Sequence, residues 1–286
     1  MADGGQWRVR TVTDPAEARE SAHALVAANP VAYSVFSTVT DSLIREPGRY
    51  ADPLWFVVSD GDGLPALVSM QTAPHPLHLP ESVPGAVTAL AEHLLAAGAD
   101  LDGVNGPQEA ALEFADGYLP AVSKQISGRE GMGVYDLPVP VELPWPVSGE
   151  HRMADASHLP LVSGWVSAFM EEIGDSAIDA EATARRQIAA GNVSLWTVHD
   201  RPVAMCWASA AFGGVVRVSG VYTPRAERGH GYASAVVHSA SRQQQEQGHT
   251  CMLYTELANP TSNKIYRALG YRHLGNDLRL KFSARR

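Results

Sequence analysis

The segment that decides the fold spans residues 221–234 and reads VYTPRAERGHGYAS. A β-rich run enters it and a helical pattern leaves it, so the sequence predicts a strand, a loop and a helix in succession. Gly229 and Gly231 permit backbone angles that direct successive N–H groups towards one point. The start of the helix adds free N–H donors and the positive end of its dipole, and two arginines in the loop add charge. The segment therefore predicts a binding site for a pyrophosphate group.

Two other phosphate-binding motifs can be compared with this loop. A P-loop needs a Lys-Ser or Lys-Thr pair after its glycines, and the segment has none. The dinucleotide fingerprint GxGxx(G/A) is nearly matched by Gly229, Gly231 and Ser234, and Glu256 stands where an acid would contact a ribose. That fingerprint begins directly at a strand end inside a βαβ unit, whereas here a longer loop and an antiparallel meander are predicted. A nucleotide-dependent oxidoreductase is therefore the less favoured alternative.

Regular hydrophobic patterns flank the loop on both sides. The Gly-Gly pair at 213–214 joins two β-rich runs, which is a hairpin signal. In the helix after the loop, apolar residues recur at helical spacing and form one buried stripe. Strands are predicted at 151–153, 193–199, 203–212, 215–223, 251–257 and 277–282, and helices at 156–173, 179–190, 231–247 and 261–269.

A second motif follows further along the chain. Residues 259–263 read NPTSN, Tyr266 lies on the predicted short helix, and the Gly-Tyr pair at 270–271 ends that helix. Asn259 and the proline after it suit the cap and the first turn of a helix.

The pattern RxxGxA at 228–233, followed by the motif at 259–271, resembles the GNAT acetyltransferase superfamily. The resemblance covers about residues 150–286 and implies an α/β fold in which helices flank a mixed, mostly antiparallel sheet. In that family the RxxGxG/A turn holds the pyrophosphate of acetyl-CoA, which is the co-substrate. The residues that would contact acetyl-CoA are Val221, Tyr222, Thr223, Arg228, Gly229, His230, Gly231, Tyr232, Ala233, Ser234, Asn259 and Asn263.

The resemblance also implies a reaction. A primary amine would attack the thioester directly, with no covalent enzyme intermediate and no metal. Asn263 would bind the pantetheine arm or the adenine side, and Tyr266 would protonate the departing CoA thiolate. The attacking nitrogen must lose a proton, and Glu256, at the end of a predicted strand, is the candidate base or else a solvated surface acid.

Several of these residues also have a simpler structural interpretation. Tyr266 could pack in the core, and Asn259 could do no more than cap its helix. His230 would supply only its backbone N–H. Glu171 and Glu172, at the end of a predicted helix, are candidates for binding an ammonium group, or they are surface acids.

The N-terminal half repeats this order of elements in a weaker form. Helices are predicted at 16–28, 32–44, 84–97 and 108–115, and strands at 53–59, 66–72 and 103–105. Residues 105–107 read NGP, then come Phe114 and the Gly-Tyr pair at 117–118, in parallel with the motif at 259–271. This match favours a tandem repeat of one fold, with chance similarity as the alternative.

The first copy lacks the chemistry of the second. Residues 78–85 read HLPESVPG, with one glycine, no arginine and two prolines that remove N–H donors. Phe114 takes the place of Tyr266. We therefore expect a degenerate GNAT-like domain without a CoA site at 1–143 and a catalytic domain at 144–286. The first would act as a scaffold or as a wall of the acceptor site, and the pair His75 and His78 is interpreted as loop residues.

Composition limits the remaining possibilities. The net charge of −9 argues against nucleic acid as a partner. Residues 1–143 hold 19 acidic and 7 basic side chains, whereas 144–286 hold 12 acidic and 15 basic ones. The sequence has no long apolar run and no secretory pattern, so we expect a cytoplasmic protein that does not enter membranes. Cys206 and Cys251 lie in apolar runs, as buried thiols do.

The acceptor is left open by the sequence. A small-molecule amine is favoured, but antibiotics, amino acids and protein N-termini all fit, and the oligomeric state is equally open. A non-catalytic acetyl-CoA sensor is the alternative from another functional class.

Overall fold

The computed structural model describes residues 7–139, 142–143, 145–174 and 179–285. Its mixed α/β architecture, with helices flanking a mixed sheet, confirms the predicted fold class. The strands are β1 (Arg8–Val12), β2 (Leu54–Ser59), β3 (Pro65–Gln71), β4 (Leu77–His78), β5 (Gly103–Pro107), β6 (Lys124–Leu137), β7 (Glu150–Met153), β8 (Val193–Val198), β9 (Arg201–Ala208), β10 (Val215–Tyr222), β11 (Thr250–Glu256) and β12 (Arg272–Ala284). The helices are α1 (Pro15–Ser21), α2 (His23–Ala28), α3 (Ser34–Arg45), α4 (Ala86–Ala96), α5 (Gln108–Tyr118), α6 (Leu159–Ile173), α7 (Ala180–Ala189), α8 (Tyr232–Gln245) and α9 (Pro260–Ala268).

One order of elements occurs twice along the chain. A strand is followed by a group of helices, three strands, a helix, a strand, a helix and a final strand. The first series runs from β1 to β6 and the second from β7 to β12. The two halves of the chain therefore share one order of strands and helices, and the tandem repeat itself stays a prediction.

The chain forms two compact units. The first comprises Met1–Val134, Glu256–Ala258 and Gly275–Arg286, and the second comprises Tyr135–Thr255 and Asn259–Leu274. The segment from Gly275 onward joins the first unit because β12 pairs with β5 in antiparallel register, with Leu280 opposite Val104. These units differ in extent from the domains expected at 1–143 and 144–286, whose boundary stays a prediction.

Each unit has its own sheet order and its own cores. In the first unit the order is β1-β2-β3-β4-β5-β12-β6, and in the second it is β11-β10-β9-β8-β7. In the first unit one core lies under α4 and α5, around Phe114 and Tyr118, and another lies around Tyr33 and Trp55. In the second unit one core includes Tyr266, and another packs residues of α6 and α7 against β8 and β9.

Several predicted elements differ from the observed ones. The helix predicted at 16–28 is two helices, because Ala22 caps the first of them and starts the second. The helix predicted at 156–173 begins with a 3₁₀ turn, Ala156–His158, whose N-cap is Asp155. Three strands were missed: β1 and β6 carry charged residues in place of an apolar alternation, and β4 has two residues. The predicted strand at 203–212 stops at Ala208, and the final strand is longer than 277–282.

The predicted Gly-Gly hairpin is confirmed. Phe212 and Val215 exchange both backbone hydrogen bonds, and Gly213 and Gly214 have φ values of 56° and 77°. Two successive positive φ angles define the type I′ turn, whose twist matches that of the strands it joins. Further along, none of the described helices is both long and apolar enough to span a membrane.

Asp277 on β12 makes the stability of the first unit depend on pH. Burial raises the pKa of its carboxyl to about 6. Because the folded state holds this proton more tightly than the unfolded chain does, the charged carboxylate lowers stability as pH rises from about 4 through 6. We expect Asp277→Asn to raise the free energy of unfolding by roughly 1–3 kcal/mol at pH 8 and to have little effect at pH 4. Urea unfolding at both pH values measures this, and an equal effect at the two would contradict the assignment.

Candidate active site

The strands of the second unit open a gap beside the predicted loop. Parallel strands β10 and β11 pair through three positions, from Val215 opposite Thr250 to Arg217 opposite Met252. Both strands continue beyond these pairs, β10 to Tyr222 and β11 to Glu256. Beyond Arg217, the backbone N–H and C=O groups on the β11 side of β10 are therefore not paired with β11.

On its other edge β10 pairs with β9, and a β-bulge interrupts this pairing just beyond the last residue that pairs with β11. The register with β9 shifts between Ser219 and Tyr222, and Gly220 lies in this shift with φ of 57°. A Cβ added to Gly220 would lie 2.5 Å from the ring of Trp207, so only glycine fits beneath that indole. The bulge turns the last residues of β10 out of the regular ladder. An extended ligand with amide groups could hydrogen-bond to such an edge as an added strand does.

The loop after β10 has the conformation that its sequence predicts. Gly229 and Gly231 have φ values of 86° and 81°, in the region that favours glycine. Gly231 is the N-cap of α8, and within the part of the chain that the structure describes no side chain accepts a hydrogen bond from the N–H groups of the first turn of that helix. The N-terminal N–H groups of α8 are thus available to an anion, with the helix dipole in the favourable direction.

Arg228 is held in place at the start of this loop. Its Nε donates to the carbonyl of Thr223 at 2.9 Å, and its Nη2 lies 2.6 Å from one carboxylate oxygen of Glu172. Arg225 donates to the same carboxylate at 3.3 Å. These arginines, Arg228 first, lower the pKa of Glu172. Glu172, an ammonium-binding candidate in the sequence analysis, is thus engaged with arginine side chains at the end of α6.

Asn259 and Asn263 form the hydrogen bonds that open α9. The Oδ1 of Asn259 accepts from the backbone N–H of Ser262 at 3.0 Å, which is an N-cap. Asn263 is buried, donates to the carbonyl of Asn259 at 2.7 Å and accepts from the hydroxyl of Tyr135 at 2.8 Å. The amide of Asn263 therefore already has partners at both ends, and its expected contact with pantetheine stays a prediction. Sequence reasoning missed Tyr135, since nothing in the chain pattern links it to a residue so far away.

Tyr266 lies on the buried face of α9. Its side chain is 8% exposed and its ring meets that of Tyr271 edge-on, with centroids 5.9 Å apart. Among the described residues its hydroxyl has no hydrogen-bond partner. Burial, and to a lesser extent Cys206, raises the pKa of Tyr266, so the hydroxyl keeps its proton at neutral pH. Such a group can donate a proton to a stronger base that forms beside it.

The remaining candidates lie on the surface. Glu256 is the last residue of β11, is exposed and belongs to the first unit, and Glu171 is exposed on α6. His230 is exposed, its ring stacks on Tyr232 with centroids 5.3 Å apart, and its Nδ1 lies 3.2 Å from the carbonyl of Glu227. The position of His230 agrees with a residue that offers its backbone to a ligand. Ser234 is buried on α8, whereas Thr223 is half-buried and its hydroxyl oxygen has no partner within the described chain.

The corresponding helix start in the first unit is already occupied by a side chain. The carboxylate of Glu113 accepts from the N–H of Gly85 at 3.1 Å, from the N–H of Thr88 at 3.3 Å and from its hydroxyl at 2.8 Å. An internal anion thus occupies the place that α8 leaves open at its own start. Sequence reasoning missed Glu113, because this carboxylate comes from the next helix of the fold.

In the first unit, β4 and β5 show no such separation beside the start of α4. Beyond the pairs of β4 with β5, the N–H of Leu79 donates to the carbonyl of Asn105 at 2.8 Å. A Cβ on Gly106 would lie 2.2 Å from the carbonyl oxygen of Leu79, so the two backbones are in direct contact. Phe114, which replaces Tyr266 in the motif, is fully buried and stacks on Tyr118.

We expect Gly231→Val to weaken acetyl-CoA binding at least tenfold. The Cβ would lie 3.1 Å from the Nε1 of Trp145 and 3.2 Å from a methyl carbon of Val147, at a backbone angle that valine rarely adopts. Gly248→Val is the matched control, because Gly248 follows the other end of α8 with φ of 84° and open space around it. Calorimetric titration of both folded variants measures the effect, and unchanged affinity in Gly231→Val would refute the anion site.

Comparisons with known proteins agree with this architecture. Residues 201–280 match the family described as FR47-like protein. This range holds β9, β10, the glycine loop, α8, β11 and α9. No curated protein matches the chain.

Solved structures resemble the chain over nearly its whole length. A GNAT-family acetyltransferase from Colwellia psychrerythraea has a TM-score of 0.62 at 13% identity and covers 96% of this chain and 100% of its own. A GCN5-related N-acetyltransferase from Sphaerobacter thermophilus has a TM-score of 0.62 at 15% identity, over 97% of this chain and 95% of its own. A Drosophila protein has a TM-score of 0.66 at 12% identity, over 96% and 98%. The chain therefore has the fold of the GNAT acetyltransferases, with an FR47-like segment at 201–280.

Proposed function

We propose that this protein is an N-acetyltransferase that transfers the acetyl group of acetyl-CoA to a primary amine, most simply that of a small molecule. The observation that carries the proposal is the uncapped start of α8 behind Gly229 and Gly231. The open edge of β10 and the hydroxyl of Tyr266, which has no hydrogen-bond partner among the described residues, lie in the same unit. Together they supply an anion site, an amide-binding edge and a proton donor.

The acetyl-CoA molecule would use these features in order along its length. Its pyrophosphate would lie at the N-terminal N–H groups of α8, beside Arg228, where the helix dipole favours negative charge. The pantetheine arm contains two amides and would extend along the free edge of β10 as an added strand. The thioester would then be fixed at the bulge in β10, which sets its orientation towards the amine.

The reaction follows from these positions. The amine nitrogen attacks the thioester carbonyl carbon, the C–S bond breaks, and the nitrogen loses a proton as the amide forms. Glu256, the candidate base of the sequence analysis, stays a prediction. Tyr266, whose hydroxyl is protonated at neutral pH, donates its proton to the sulfur of the departing thiolate.

We propose further that the first unit is a repeat of the same fold that binds no CoA. The carboxylate of Glu113 satisfies the N–H groups that would otherwise attract a phosphate. The closed contact between Leu79 and Gly106 leaves no open strand edge there. Such a unit would serve as a scaffold. A cytoplasmic location also stays a prediction.

A panel of amines tests the activity directly. The purified protein is incubated with acetyl-CoA and single amines, among them polyamines, aminoglycosides, amino acids and peptides with free N-termini, and CoA release is measured. Turnover with any member supports the proposal and identifies the acceptor class. Acetyl-CoA binding without turnover across the panel would favour a sensor, and binding of NAD but not of acetyl-CoA would favour an oxidoreductase.

We expect Tyr266→Phe to lower the rate of acetyl transfer by roughly tenfold to a thousandfold. The ring still packs against Tyr271, so acetyl-CoA affinity should change little. Tyr271→Phe is the matched control, since the hydroxyl of Tyr271 is bonded to Ser241 at 2.7 Å and its loss should lower stability by about 1 kcal/mol without slowing the reaction. A near-normal rate in folded Tyr266→Phe, measured where chemistry limits turnover, would remove Tyr266 from the mechanism.

We expect one acetyl-CoA per chain. Calorimetric titration of the whole protein should give a stoichiometry near one, because one helix start is open and its counterpart is filled by Glu113. Gly231→Val should weaken that single binding event at least tenfold. A stoichiometry near two would show that the first unit also binds the cofactor.

A further inference from the structure

Three aromatic side chains of the second unit meet at the end of β10. Trp165 and Phe169 are four residues apart on α6, so they lie on the same face of that helix, and both are half-buried. Tyr222 is the last residue of β10 and is 7% exposed. Its ring centroid lies 6.2 Å from that of Trp165 and 6.4 Å from that of Phe169. These rings therefore form one aromatic group next to the bulge in β10.

The indole of Trp207 adds a fourth ring on the same face of the sheet. It lies at the bulge itself, since a Cβ added to Gly220 would be 2.5 Å from it. Trp207 and Tyr222 pack in the core that α6 and α7 cover. Cys206, the residue before Trp207, packs with Tyr266 in the other core, and successive side chains of a strand point to opposite faces of a sheet. The sheet of the second unit thus has Tyr266 over one face and the aromatic group over the other.

The two carboxylates of α6 offer no free negative charge beside these rings. Glu172 lies 2.6 Å from Arg228 and 3.3 Å from Arg225, so its charge is already paired. Glu171 is exposed and stands two residues beyond Phe169, which in an α-helix places it about 200° around the axis, on the opposite side. The described residues of α6 therefore present aromatic surface next to the bulge without an unpaired carboxylate. Such a surface favours a ligand with an aromatic body and one amino group over a polycation.

We propose that the acceptor is an aromatic amine, in which a short alkyl chain joins one aromatic ring to the primary amino group. The inference rests on the proposed function. In that reaction the sulfur leaves beside Tyr266, so the amine has the opposite face of the sheet, where the aromatic group lies. The ring of the acceptor would pack against Trp165 and Phe169 at the spacing of about 4.5–7 Å between centroids that aromatic pairs prefer. Its amino group would then reach the thioester at the bulge above Trp207.

Steady-state kinetics with three amines at saturating acetyl-CoA test the acceptor class. They are 2-phenylethylamine, 2-cyclohexylethylamine, whose saturated ring has a similar size, and 1,4-diaminobutane, which has two charges and no ring. In the wild-type protein, kcat/KM for 2-phenylethylamine should exceed that for the cyclohexyl compound roughly threefold to tenfold, because the rings of the site favour an aromatic partner. It should exceed that for the diamine at least about tenfold, because the diamine buries less apolar surface.

Variants of the aromatic group assign this preference to its residues. Trp165→Ala and Phe169→Ala should each raise KM for 2-phenylethylamine about tenfold, and Trp165→Phe should keep most of the wild-type value. Both alanine variants should bind acetyl-CoA as the wild type does, which also shows that they are folded. Phe212→Ala is the matched control, because Phe212 is a half-buried phenylalanine in the hairpin at the other end of β10, and it should leave KM unchanged.

The outcomes separate the acceptor class from the acetyltransferase activity. Equal kcat/KM for the two ring compounds, a preference for the diamine, or an unchanged KM in folded Trp165→Ala and Phe169→Ala would overturn the acceptor class. Turnover of other amines alone, such as aminoglycosides or amino acids, would overturn it as well, while the acetyltransferase proposal stands. No acetylation of any amine would overturn both. The comparison of the three amines uses the wild-type protein, so it decides the class even if a variant fails to fold.

Discussion

The backbone N–H groups at a helix start need partners, and this requirement organises both units. A helix leaves its first N–H groups without intrahelical acceptors. At α4 the carboxylate of Glu113 accepts them. At α8 two glycines with positive φ lead into a first turn that no side chain of the described residues caps. The start of α4 is therefore closed by the protein itself, and under the proposed function the start of α8 binds an external anion.

The pairing of the neighbouring strands differs between α8 and α4 in the same way as the hydrogen bonding of the two helix starts. Beside α8, β10 and β11 pair over a short stretch and a bulge follows at Gly220. Beside α4, Leu79 and Gly106 are in backbone contact. At α4, where Glu113 accepts from the first N–H groups, the neighbouring strands are in contact. At α8, where these N–H groups have no such acceptor, the neighbouring strands separate. This correspondence is why we treat the anion site and the strand gap as one binding site.

Features that depend only on neighbouring residues could be predicted from the sequence. The glycines of the loop and the cap at Asn259 could be predicted, because turns and caps depend on neighbouring residues. The same holds for the Gly-Gly hairpin and the helical stripe of α8. Contacts between distant segments could not be predicted from one sequence. The bond between Tyr135 and Asn263, the carboxylate of Glu113 and the place of Trp145 beside Gly231 all depend on how elements pack. Strand β6 was missed because its alternating charged and small residues resemble a loop.

Glu113 has a further consequence for how the two units respond to their surroundings. A ligand stabilises a folded unit in proportion to the logarithm of its concentration over Kd, provided that the unfolded chain does not bind it. A carboxylate built into the chain has a fixed effective concentration, so the first unit holds its structure independently of metabolic state. The second unit, under the proposed function, gains stability as the supply of acetyl-CoA rises. A fall in the supply of acetyl-CoA would thus lower the stability of the second unit and leave that of the first unit unchanged.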